Sequence, residues 1–216
     1  MIVLGLIMTA QTGCFYEALD RIPLGLAVAI EFMGPLALAL VSSRRLMDAV
    51  FVAVAATGIV LLTPIVGGDL DPVGLAWSRG SGLGRACFIV ASKRLGKALK
   101  DGVGLALAMS VAALVMFPFT GPATLSVLAG DLSLLVSVLA LALFSGAVPF
   151  LFEFLALKRM TMTTFGILIA IEPVTADLIG VIALADVLSL RGWIAVAALG
   201  ATVLEHRNKD ATPQIS

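Results

Sequence analysis

The stretch Leu132-Ser133-Leu134-Leu135-Val136-Ser137-Val138-Leu139-Ala140-Leu141-Ala142 decides the fold, and it runs on to Leu157 with one charge, Glu153. A membrane β-strand alternates apolar and polar residues over about 10 positions. Val136 to Ala142 does not keep up such an alternation, and neither does Ile194 to Leu199. A bilayer core about 30 Å thick needs roughly 20 apolar residues of helix, each rising about 1.5 Å. The stretch from Leu132 to Leu157 meets that length and predicts a membrane-spanning helix.

Seven further segments read the same way. Their bounds are Ile2 to Leu19, Ile22 to Val41, Asp48 to Pro64, Pro72 to Ser92, Gly102 to Phe119, Thr163 to Leu184 and Val187 to Leu204. Pro23, Pro64, Pro72 and Pro118 fall at segment edges, where a missing N–H costs least. Gly67-Gly68 and Gly121-Pro122 read as turns. The chain opens Met-Ile-Val-Leu with no basic run before the first apolar segment, so a cleaved signal peptide is not expected.

Composition agrees. Of 216 residues, 60% are hydrophobic and 13% charged, with a mean hydropathy of +1.11. A soluble domain carries about 25% charged residues. Fourteen cations balance fourteen anions, so no basic excess points to nucleic acid. One histidine, His206, leaves no cluster for a metal and no base for a Ser–His or Cys–His nucleophile. Cys14 and Cys87 both sit in apolar runs and read as packing residues. The expectation is an all-α, polytopic membrane protein of about eight spans, not an enzyme, with no cofactor and no metal.

The charges also predict an orientation. Arg44, Arg45, Lys93, Arg94, Lys97, Lys100, Lys158, Arg159, Arg207 and Lys209 fall on one membrane face, and only Arg21 and Arg191 on the other. The positive-inside rule then places both termini in the cytoplasm and the Asp69/Asp71 connection outside. The expected location is the cytoplasmic (inner) membrane.

The chain repeats itself. Tyr16 to Arg21 matches Phe154 to Arg159 at an offset of 138, and Ala53 to Gly58 matches Ala195 to Gly200 at an offset of 142. Glu31 and Glu172 pair between them at an offset of 141. Spans one to three thus correspond to spans six to eight. A shift of five helices reverses direction, which defines an inverted-topology repeat. Spans four and five have no upstream partner. The expected organisation is a shortened first repeat of three helices at 1–66, a complete five-helix repeat at 72–206 and a cytoplasmic tail at 207–216. It reads as a five-plus-five protein without its first two helices.

Several stretches resemble the EamA-type branch of the drug/metabolite transporter superfamily, in particular the threonine/homoserine exporters and their relatives. They are Cys14 to Gly25, Ala29 to Leu36, Ala156 to Met160, Ile171-Glu172-Pro173-Val174 and Asp186 to Ile194. The resemblance implies a ten-helix fold, cytoplasmic termini and export of amino acids or similar small metabolites by proton exchange. Two features depart from the family pattern: the first two helices, and Arg85 where relatives tend to have an aromatic residue.

Polar residues inside the spans supply the candidate site. An ionised group at mid-bilayer costs about 2.5–3.5 kcal/mol or more, so each needs a reason. Glu31 and Glu172 lie near the middles of the second and seventh spans. A desolvated carboxyl can exchange protons near neutral pH, and transporter sites sit at that depth. Arg85 reads as an ion-pair partner for Glu31, Glu153 or Glu172, or as a clamp for a substrate carboxylate. Arg79, shallower, is expected to reach outward. Ala27, Glu31 and Pro35 recur every four residues and share one face, which suits a cavity or close packing. Pro35 and Pro173 each free a carbonyl one turn upstream. Those carbonyls either accept a substrate ammonium or merely mark kinks. Glu153 and Glu17 are expected at the two interfaces, and Asp177 in packing. Trp77 and Trp193 fit an aromatic belt. Gly80-Ser81-Gly82-Leu83-Gly84 is not a phosphate loop, since no strand precedes it and no Lys-Ser/Thr follows. Gly80 and Gly84 read instead as a G-x-x-x-G packing face.

The leading reading is a secondary transporter with a small-molecule substrate in a lipid bilayer. A lipid-carrier flippase and a non-transporting scaffold or remnant are the alternatives. The apolar faces fit lipid or a homodimer equally.

Overall fold

The computed structural model describes residues 1–43, 46–62, 70–98, 103–128 and 130–172, with positions 175, 178, 193–195 and 197. Its order is α1 (Ile2–Leu19), α2 (Leu24–Ser42), α3 (Leu46–Leu62), α4 (Pro72–Ala98), α5 (Val103–Leu128), α6 (Leu132–Leu141), a π-helical turn (Ala142–Ala147), α7 (Val148–Arg159) and α8 (Met162–Ile169). The described residues hold no strand. Backbone amides buried in hydrocarbon have no water to bond, and a helix satisfies them within one segment. Among the described residues, Ile2–Leu19, Leu24–Ser42, Val103–Gly121 and Leu132–Arg159 are long and apolar enough to cross a membrane.

The starts of the helices follow local chemistry. Pro23 is the N-cap of α2. The Asp71 carboxylate accepts the Val73 N–H at 2.9 Å where α4 begins. Asp131 Oδ1 caps α6 through the Ser133 and Leu134 N–H groups at 2.8 and 3.1 Å. Thr161 Oγ1 caps α8 through the Thr164 N–H at 3.1 Å. Asp71, Asp131 and Thr161 each satisfy an amide that the first helical turn leaves unbonded; Pro23 makes no side-chain cap bond.

Three boundaries differ from expectation. First, α5 does not end at Phe119, and Pro118 and Gly121-Pro122 lie inside it. The Thr120 and Thr124 hydroxyls bond back to the Met116 and Thr120 carbonyls at 3.4 and 2.8 Å. Second, α4 continues past Ser92 to Ala98, because apolarity limits the span and not the helix. Third, the sixth span is interrupted by the π-turn, where the Val148 N–H bonds the Leu143 carbonyl five residues back. Pro149 follows at once; its ring would clash with the carbonyl four residues upstream, and the wider turn relieves that crowding. The second half of the seventh span and most of the eighth lie outside the described residues.

The chain divides into two compact units, Met1–Thr12 with Cys87–Met160, and Gly13–Ala86 with Thr161–Ser216. In the first, Leu4, Met8, Phe88, Ile89, Leu105, Ala108, Phe154 and Leu157 are buried. A Cβ on Gly5 would lie 2.6 Å from the Ala108 carbonyl, so α1 and α5 meet backbone to backbone. Phe88 of α4 packs edge-on against Phe150 of α7, centroids 5.4 Å apart. Lys93 of α4 donates to the Leu157 carbonyl at 2.7 Å and to that of Met160, capping the end of α7 as a cation should. By contrast, α6 buries none of its residues.

In the second unit α2 packs on α3 and α8. Phe32, Leu36, Ala39, Phe51, Val52, Ala55, Ile59, Phe165 and Ile167 are its buried apolar side chains around those helices. At one end Arg21 bonds Glu17 at 2.6 Å and approaches Asp71 at 3.9 Å. This exposed cluster fits Glu17 at an interface.

Candidate functional site

Small polar residues on one face of α4 organise the second unit. Ser78, Ser81, Gly82 and Arg85 are spaced by three, one and three, which keeps them on one stripe of a helix. The buried Ser78 hydroxyl donates to the Ala27 carbonyl at 2.8 Å. Ser81, also buried, donates to Glu31 Oε1 at 3.0 Å. Arg85 Nη2 stands 3.6 Å from Glu172 Oε2.

Glycine permits the approach. A Cβ on Gly34 of α2 would overlap the Gly82 carbonyl of α4, and a Cβ on Gly82 would lie 3.1 Å from the carbonyls of Glu31 and Ile30. Pro35 has no N–H, so the Glu31 carbonyl loses its helical partner. The Gly82 backbone lies close against that oxygen. On α8, a Cβ on Gly166 would lie 2.8 Å from the Pro35 carbonyl, and Thr163 Oγ1 reaches the Ala39 carbonyl at 3.5 Å. Both neighbours therefore press against α2 at Gly34-Pro35.

Each sequence candidate now has a place. Ala27 and Pro35 are buried in helix packing. Glu31 is half-buried and tied to Ser81. The Arg85 side chain is 12% exposed and that of Glu172 is 57% exposed. Arg85 and Glu31 are the charged groups that act on Glu172. Thr175 Oγ1 donates to the Glu172 carbonyl at 2.8 Å. Arg79 is exposed, off the stripe. Trp77 and Trp193 are exposed, as a belt requires. Pro173 and Asp177 lie outside the described residues. Glu153 belongs to the other unit, half-buried, with its Oε2 shielded from solvent.

The N-caps Pro23 and Thr161 put the starts of α2 and α8 138 residues apart. In the glycine-rich segment, Gly82 meets α2 beside Gly34, and Gly80 meets Cys14 Sγ. Sequence reasoning missed Ser78 and Ser81. The signal was present: hydroxyls four and seven residues before Arg85, at the spacing of one face.

Among the described residues no group of three His, Cys, Asp or Glu is placed to hold a metal ion. The arrangement has instead one cation, Arg85, and one exposed carboxylate, Glu172.

Comparison with known proteins gives a consistent result. The model of the EamA-like transporter family matches residues 73–204. The chain is 36% identical to the threonine/homoserine exporter RhtA of Salmonella typhimurium strain LT2, over 98% of this chain and 72% of that one. It is 35% identical to the threonine/homoserine exporter RhtA of Escherichia coli strain K12, over 92% and 69%. A solved crystal structure superposes with a TM-score of 0.75 at 19% identity, covering 97% of this chain and 78% of its own. That last likeness shows the fold alone.

Proposed function

The chain belongs to the EamA-like transporter family, and from that premise we propose that it exports small amino acids of the threonine and homoserine kind in exchange for protons. The observation that carries this reading is the Arg85–Glu172 pair, 3.6 Å apart.

The chemistry follows from the charges. A zwitterionic amino acid presents a carboxylate, which a guanidinium binds through two parallel hydrogen bonds. It also presents an ammonium group, which a carboxylate accepts. Arg85 takes the first and Glu172 the second, so substrate enters by opening their pair. A proton on Glu172 removes the ammonium's partner. Proton and substrate therefore compete for one carboxylate, and that competition makes transport an exchange. Glu31, a like charge nearby, offsets part of the attraction holding Glu172 on Arg85 and lowers the cost of opening. The inverted repeat supplies two half-bundles that expose such a site to either side in turn. The ten-to-two split of basic residues supports cytoplasmic termini.

The test is export from cells. Cells making the protein should resist a toxic threonine analogue and release threonine, and Glu172→Gln should abolish both while reaching the membrane in normal amount. Full resistance with Glu172→Gln would remove the assigned role of Glu172. No resistance with wild-type protein present in the membrane would favour a non-transporting scaffold.

A further inference from the structure

Helix α1 is held by different partners towards its two ends. Near its start Leu4 is buried, and a Cβ on Gly5 would lie 2.6 Å from the Ala108 carbonyl of α5. Near its end Ala18 is buried in an apolar cluster with Phe15 and Leu19 against it. There a Cβ on Gly80 of α4 would lie 3.2 Å from Cys14 Sγ. Between these anchors, α1 passes from one compact unit to the other at Thr12–Gly13.

Two further features meet at that point. Met8, Thr9 and Thr12 of α1 and Met109, Ala112 and Met116 of α5 line one cavity of about 170 Å³. Gly13 follows directly, and a Cβ there would meet no described atom within 4 Å. Gly5, Gly34, Gly82 and Gly166 each admit a neighbouring helix, whereas Gly13 admits none. A glycine inside a helix lowers its propensity to stay helical, and here no close contact offsets that cost. What it supplies is a backbone that bends readily. Thr9 Oγ1 also bonds back to the Gly5 carbonyl at 3.0 Å, and bonds of that kind bend helices.

We propose that Gly13 is a hinge in α1, and that during transport the Thr9–Thr12 segment closes onto α5, with the cavity as its room to move. The inference rests on the exporter reading above. A hinge is a short stretch that absorbs the change in backbone angles while the packed segments on either side keep their contacts. Gly5 on α5 and Cys14 on α4 mark those packed segments. The methionines that line the cavity are unbranched and adapt their shape as it closes.

The experiment pairs counterflow of radiolabelled threonine, in proteoliposomes holding the full chain, with thermal unfolding in detergent. Gly13→Ala puts a methyl group in open space, so it stiffens α1 without a clash. Its maximal rate should fall at least about 5-fold with apparent KM within about 2-fold, because the conformational step slows and binding does not change. Its thermal midpoint should stay level or rise, as replacing a helical glycine dictates. Ala112→Leu, which fills the cavity from the α5 side, should slow transport in the same way. Gly146→Ala is the control: a Cβ there also meets no described atom within 4 Å, but the residue lies well inside one unit. Its maximal rate should stay within about 2-fold of wild type. A wild-type rate in Gly13→Ala or in Ala112→Leu overturns the inference. So does a lowered midpoint in Gly13→Ala, which marks damaged packing, or an equal loss of rate in Gly146→Ala. Each of these leaves the exporter reading standing. Absence of saturable counterflow by the wild-type protein overturns the exporter reading and this inference with it.

Discussion

The two acids along α4, Glu31 on α2 and Glu172 beyond the end of α8, are held in opposite ways. On α2, position 34 is the glycine that admits α4, and the acid lies three residues earlier, bonded by Ser81. Glu172, three residues past the end of α8 at Ile169, is exposed and faces Arg85 across 3.6 Å. One stripe of α4 side chains runs along both acids, and each meets a different part of it. The acid beside the serine is tied into the packing, and in the proposed mechanism the acid beside the arginine is the working group.

The sharpest way to break that contrast is to remove the cation. Arg85→Met leaves Glu172 without its partner inside the membrane. Losing one member of such a pair costs about 2–5 kcal/mol, so threonine export should fall at least about 30-fold, read as initial efflux rate at equal protein amount. Export within twofold of wild type would mean that the pair is structural only. The next effect falls on the crossing that separates the two acids. Gly82→Ala places a methyl group 3.1 Å from two α2 carbonyls. Overpacking of this kind costs about 1–3 kcal/mol, visible as a lower thermal midpoint in detergent. An unshifted midpoint would show that α2 yields at Pro35. Glu31→Gln sharpens the division of labour. The amide still accepts from Ser81, so export should drop by about 10-fold or less, a change of about 1.4 kcal/mol. A loss as deep as that of Arg85→Met would make the two acids equals.

Asp131, in the connection before α6, offers the smallest effect and a useful control. The Leu134 N–H, with the Ser133 side chain and N–H, holds its carboxyl below the ordinary carboxylate range. A carboxyl lowered on folding contributes stability above its unfolded pKa and loses it as pH falls through the folded one. Hydrogen exchange at Ser133 and Leu134 should therefore speed up only under acid conditions, and Asp131→Asn should remove that dependence while keeping a cap. Transport should not follow the Asp131 titration. If it did, the pH response would come from the connection and not from the spans.

The chain's helices were legible because a bilayer imposes length and apolarity. Both bounds of α1 and the start of α4 at Pro72 follow directly from the pattern, as does the polar anomaly of Arg85. Features set by neighbours were not legible. The π-turn depends on where Pro149 meets the carbonyl upstream, which apolarity does not report. Pro118 and Gly121 look like breakers, yet both lie inside α5. Ser78 and Ser81 were overlooked because serines in membrane helices are common, and only the face they share with Arg85 gives them meaning.

Carbodiimide labelling tests the central claim most directly, since the reagent modifies protonated carboxyls in apolar surroundings and mass spectrometry locates the adduct. The account predicts an adduct on Glu172 that is lost when threonine is present, with Glu31 little modified. An adduct on Glu31 that threonine prevents, with Glu172 unaffected by the substrate, would contradict it.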